Sequence, residues 1–95
     1  MTILIEISAN MKNINSLTNI NNNLNNLAKK YNSSLSYSNH EIEGIGNKIF
    51  KHYYIFSLQF ESINDIDYEE LLKEIKLIKS IKIENIYNNN KNILK

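Results

Sequence analysis

Cysteine, arginine and proline are absent from all 95 residues of the chain. Without cysteine there is no disulfide, no thiolate metal site and no cysteine nucleophile. Without arginine the usual bidentate clamp on phosphate or carboxylate is missing. An excess of one charge is missing as well. Eleven basic residues, all lysine, against ten acidic ones leave a formal charge of +1. That balance argues against nucleic-acid or anionic-membrane binding driven by charge. The apolar runs are short, as in Ile3–Ile5 and Tyr53–Phe56, far below the roughly 20 residues of a membrane helix. No signal-peptide pattern follows Met1. What remains is 42% apolar residues, enough at this length for one unstapled core. The expectation is a single α+β domain over residues 1–88, a flexible tail over 89–95, and a cytoplasmic location.

Asparagine (18), isoleucine (17), lysine (11) and tyrosine (6) dominate the composition. All four have A/T-rich codons, so the abundance of asparagine is read as a property of an A/T-rich genome. Leucines spaced regularly through the asparagines set the segment apart from a disordered polar tract.

Hydrophobic periodicity divides the chain into six elements. Ile3, Ile5 and Ile7 alternate with Leu4, Glu6 and Ser8, a strand with one buried face. Ile14, Leu17, Ile20, Leu24, Leu27 and Tyr31 recur every three or four residues and predict a helix over 14–31 capped by Asn13. After the polar break 32–34, residues 35–42 read as a half-solvated edge strand. Gly44 and Gly46, the only glycines, mark a hairpin turn. In the next strand, 49–61, Tyr54, Phe56, Leu58 and Phe60 share the face expected under the helices. A helix follows over 67–79, opened by Asp67 and Glu70 at capping-box spacing, with Tyr68, Leu71, Leu72, Ile75 and Ile78 as its buried stripe. Ile81, Ile83 and Ile86 make the last strand. The order strand, helix, strand, strand, helix, strand predicts a ferredoxin-like βαββαβ sandwich. Right-handed crossovers put the first and third strands in the centre of a four-stranded antiparallel sheet, with both helices on one face.

Candidate chemistry is sparse. His40, Glu43 and His52 flank the glycine turn, and across a hairpin they form a candidate zinc or nickel set. Two surface histidines on an edge hairpin account for the same residues, and no third strong ligand is fixed by spacing. The expectation is no tight transition-metal site and no cofactor. An enzyme would need His40, Glu41, His52 and Asp65 to meet in one pocket. Asp65 and Asp67 are read as helix-start carboxylates, and Ser8 has no neighbouring base or nucleophile elbow. No catalytic residue is assigned, and the chain is read as a non-enzyme. RNA recognition by a sheet of this topology uses stacking aromatics. Only Tyr53 stands on the outward face of the third strand, and the first strand supplies none, so no nucleic-acid partner is expected. The helix-free face carries Leu4, Tyr53 and Ile55, margined by Glu6, Ser57 and Gln59, and is read as the interaction surface.

The segments ILIEIS, YYIFSLQFES and DIDYEELLKEIKLIKSIKIENI together resemble an ACT-type regulatory domain. The last segment carries most of the likeness, with Leu72, Ile75, Ile78, Ile81 and Ile83 approximating the closing helix–turn–strand pattern. ACT-like domains usually carry a glycine after the first strand, where this chain has Ala9-Asn10-Met11-Lys12. They carry another before the last strand, where it has Ser80. The resemblance implies a non-enzymatic regulatory, ligand-sensing or oligomerisation domain. Its partners would be a second copy, the rest of a longer chain, or a small-molecule effector. The chain is also similar to the cytosolic C-terminal domain of MgtC/SapB-type membrane proteins, which implies association with magnesium transport and no insertion of this segment itself.

Overall fold

In the computed structural model, residues 2–11, 15–46 and 48–94 are described, with side chains at 11, 15, 16, 37–45 and 48–53 excepted. The elements run β1 (Ile3–Met11), α1 (Asn15–Lys30), β2 (Ser34–Ile45), β3 (Lys48–Phe60), α2 (Asp65–Lys76), β4 (Ile81–Asn88) and β5 (Lys91–Asn92). The sheet is antiparallel throughout with the order β2-β3-β1-β4-β5. It has five strands, not the expected four. The fifth comes from the segment that the hydrophobic pattern leaves outside the domain.

β5 exists because of its turn. Asn88 pairs with Lys91, and the two residues between them, Asn89 and Asn90, have φ of 50° and 70°. A two-residue hairpin whose central residues are both left-handed matches the twist of its strands, and asparagine tolerates that region better than other non-glycine residues. A polar run without alternating apolar residues therefore still makes a strand.

Alternation places the core. Ile3, Ile5, Ile7 and Ala9 of β1 are buried, as are Tyr54, Phe56, Leu58 and Phe60 of β3. Register sets Ile5 opposite Leu58 and Ile7 opposite Phe56. Against this face pack Ile20, Leu24, Leu27 and Ala28 from α1 and Leu71 and Ile75 from α2. Both helices thus lie on one side. Seven asparagines stand in α1, and asparagine is a poor helix former, so the buried leucine stripe supplies the stability. Lys29 and Lys30 close α1 at the negative end of its dipole. The helix stops where Ser33 N–H donates to Ala28 O (2.7 Å) and Asn32 N–H to Lys29 O (3.4 Å), with Asn32 at φ 54°. These are the paired bonds of a Schellman stop.

α2 begins two residues before the expected start. Asn64, not Asp67, is the N-cap, and its side chain accepts from Asp67 N–H at 2.8 Å. Asp67 returns the contact by accepting from Asn64 Nδ2 at 3.1 Å. The helix also ends earlier, at Lys76, where Leu77 and Ile78 donate to Glu74 O and Ile75 O in a tightened last turn. Leu77 is consequently 82% exposed.

The β2–β3 hairpin outruns the sheet. β1 meets β3 from Phe60 to His52 only, whereas β2 and β3 continue paired from Glu43↔Lys51 to Ile45↔Lys48, around Gly46 at φ 60°. The radius of gyration is 14.1 Å and the long axis 47 Å, against about 12 Å for a compact domain of this length. The projecting ribbon accounts for the excess.

Candidate functional site

The open face of the sheet is built in rows by the register. The first row crosses Ser34, Gln59, Leu4, Tyr87 and Asn92; the second crosses Ser36, Ser57, Glu6 and Asn85; the third crosses Asn39, Ile55, Ser8 and Lys82. Leu4, Ile55 and Tyr87 are half-buried. Leu4 and Ile55 are not neighbours. Leu4 lies opposite Gln59, four residues from Ile55, which is about 13 Å along a strand. The second row between them is polar, so the expected single patch of Leu4, Tyr53 and Ile55 is divided. Tyr53 stands in register with Asn10 and Glu41, one row beyond Ile55.

Hydrogen bonds link part of the polar row to its neighbours. Asn92 Nδ2 donates to Asn85 Oδ1 (3.0 Å), and Asn85 Nδ2 donates to Glu6 Oε1 (3.1 Å). Ser8, 3% exposed, donates its hydroxyl to Glu84 Oε1 at 2.6 Å. A buried hydroxyl already committed to a carboxylate is a satisfied structural group. These bonds tie Glu6, Asn85, Asn92, Ser8 and Glu84 to one another on the face that also carries the apolar groups Leu4, Tyr87 and Ile55.

Tyr87 belongs to this surface and was not expected there. Ile81 and Ile83 pair with Ala9 and Ile7 on the helix side, and strict alternation would put Tyr87 with them. The register slips between Glu6 and Ile7: Asn85 pairs with Glu6 and Ile83 with Ile7, so Glu84 is an extra residue. The bulge reverses the alternation and turns Tyr87 to the open side beside Leu4. The signal was present in the odd spacing from Ile83 to Ile86, both on the helix side.

The metal candidates divide differently. Backbone register sets His40 opposite Tyr54, His52 opposite Ile42 and Glu43 opposite Lys51. The side chains of His40, Glu41, Glu43, His52 and Tyr53 lie outside the described residues. Among the described residues no three His, Asp or Glu side chains gather. Among them, too, no helix is long and apolar enough to cross a membrane.

On the opposite side, a groove of about 660 Å³ has residues of α1 and of the end of α2 in its lining, with Ile20, Leu27 and Ile78 among them. Asn19, Asn23, Asn26 and the exposed Leu77 also line it. One end is tied by Glu74. It accepts from Lys30 Nζ at 2.6 Å and from Tyr31 Oη at 2.5 Å, and Lys30 Nζ lies 5.4 Å from the Tyr31 ring centroid. The lysine hydrogen bond, then the tyrosine one, lowers the Glu74 pKa from its ordinary 4.5. Burial, then the Glu74 bond, raises that of Tyr31, and the Glu74 bond raises that of Lys30. A lowered carboxyl pKa means that the stabilisation is complete above pH 4.5 and is lost as pH falls through the folded-state value. Glu74→Gln is therefore expected to lower the melting temperature at neutral pH, and the gap to the parent should be smaller in acid well below pH 4.5. Thermal unfolding at both pH values checks this, and a gap of equal size at the two would contradict it.

No protein-family model matches the chain, and no curated protein matches it. Two de novo designed proteins are among the similar solved structures. Foldit4 shares 15% identity, with 93% of this chain and 98% of that chain covered and a TM-score of 0.56. Ferredog-Diesel shares 17%, with 88% and 84% covered and a TM-score of 0.44. The likeness to Foldit4 is one of fold alone.

Proposed function

We propose that the chain is a non-enzymatic regulatory or oligomerisation domain of ACT-like type, acting as a homodimer through the helix-free face of its sheet. The observation that carries this reading is the face itself. Leu4, Tyr87 and Ile55 are half-buried and outward on the side of the sheet away from both helices, and the polar groups Glu6, Asn85 and Asn92 beside them are bonded to one another. An apolar group on a paired polar background can be covered by a partner without stranding a donor or acceptor. Within the sheet we read β2-β3-β1-β4 as a ferredoxin-like order to which β5 is appended. Ser80 supports the ACT-like reading. It has φ 69°, the left-handed conformation that glycine adopts most readily, at the position where such domains usually carry glycine.

Ile55→Lys tests the proposal, because it places a charge on the open face while Phe56 keeps its place in the core. Sedimentation equilibrium is expected to give a concentration-dependent dimer for the parent and a monomer for the variant, with identical circular dichroism. A parent that stays monomeric at hundreds of micromolar overturns the reading.

A further inference from the structure

The two edges of the sheet are unlike. β2 ends one side with twelve residues, and β4 would end the other but for β5. After the Asn89–Asn90 turn the chain runs back along β4. Tyr87 pairs with Asn92, Ile93 N–H donates to Ile86 O (2.8 Å), and Asn92 reaches Asn85. Leu94 then lines a cleft with Ile75, Ile81 and Ile83. The arm is lightly held, with Ile93 44% and Leu94 37% exposed. Beyond it, residues 81–85 of β4 have no outer ladder partner among the described residues.

We infer that the arm 89–94 is a removable cover on one end of the β4 edge, residues 86–88, and that the whole edge is a strand-addition site for β4 of a second copy. The arm itself indicates what fits, since it is an extended antiparallel segment bonded through its backbone. The sequence of the edge selects a second copy. An antiparallel pair of β4 strands related by a two-fold axis at Ile83 sets Lys82 opposite Glu84 of the other copy, on the open face. Ser8 binds Glu84 through Oε1, which leaves its second oxygen for that lysine. The same axis brings Ile83 against its own copy on the helix side, where Ile81 and Ile83 are only half-buried. Such an interface is isologous, so it closes at two chains. With the arm in place, Leu94 borders that apolar strip and the chain protects one end of its own edge. This inference does not depend on the open-face dimer, which uses a different surface.

The test uses the full chain carrying Ile55→Lys, so that the open face takes no part. Ile93→Pro removes the donor to Ile86 O. Asn89→Val with Asn90→Val penalises positive φ at both turn positions. Each releases the arm and leaves the core untouched. Sedimentation equilibrium is expected to show the released chains pairing about tenfold more tightly than the closed one, the change that one lost hydrogen bond makes to a competing equilibrium. Lys82→Glu, added to either, should return the monomer by setting like charges opposite one another. Released chains that keep the parent circular dichroism and remain monomeric at hundreds of micromolar overturn the inference. So does association that Lys82→Glu leaves unchanged. If the double valine variant does not fold, Ile93→Pro decides, because its site is at the exposed end of the arm.

Discussion

Phe56→Ala is expected to remove about 3–5 kcal/mol of folding stability, the largest loss from any single truncation proposed for this chain. Phe56 is fully buried and sits on β3 opposite Ile7 of β1 and Tyr37 of β2. Its ring lies 6.2 Å from that of Tyr54. Strands flank it on both sides and the helices cover it, so the space left by the ring cannot be refilled by a small shift of one element. A domain of this size has about 5–15 kcal/mol in all, so the variant should be near its unfolding threshold. Each kcal/mol moves the midpoint of a domain this small by about 4–8 °C, which makes the expected drop larger than 10 °C. Urea unfolding with the slope held in common measures it. A loss below about 1 kcal/mol would mean that Phe56 does not stand between helices and sheet.

Leu71→Ala should cost about 2–5 kcal/mol by leaving a cavity between α2 and the sheet. Leu71 is fully buried, whereas Leu77, six residues on, is 82% exposed. Leu77→Ala should therefore stay within about 0.5 kcal/mol. The pair makes a comparison inside one segment with the same chemistry removed each time. Equal losses at the two positions would show that the buried face of α2 has been assigned incorrectly.

The elements whose burial repeats with a fixed period were legible from the chain alone. Ile3, Ile5, Ile7 and Tyr54, Phe56, Leu58, Phe60 are buried as their alternation predicts, and Leu24, Leu27, Leu71 and Ile75 as their helical spacing predicts. What was not legible depends on register or on backbone conformation. Asn89 and Asn90 make a turn through their φ angles, which no hydrophobic pattern encodes. Glu84 shifts the alternation of β4, and that shift exists only relative to β1. The cap of α2 was misplaced because Asn64 and Asp67 are both good capping residues, and the side-chain contact between them decides. Glu74 joins α1 to α2 across more than forty residues, a contact that local spacing cannot foresee. On the open face, Leu4 and Ile55 stand where their alternation with Ile5 and Phe56 predicts. The row of Glu6, Ser57 and Asn85 that divides them needed the strand register, and Tyr87 needed the bulge.

The central place of β1 has a consequence for the order in which the molecule is made. β1 is synthesised before both of its neighbours, β3 and β4, whose pairing residues begin at His52 and Ile81. Until those segments emerge, four apolar side chains from Ile3 to Ala9 wait without a partner, while the β2–β3 hairpin can close locally. Contacts between the two ends of a chain carry the highest loop-closure cost and slow the final step. Ribosomal synthesis supplies roughly 5–20 residues each second, so β1 spends seconds as an exposed hydrophobic strand. β1 thus leaves the ribosome well before the strands that enclose it.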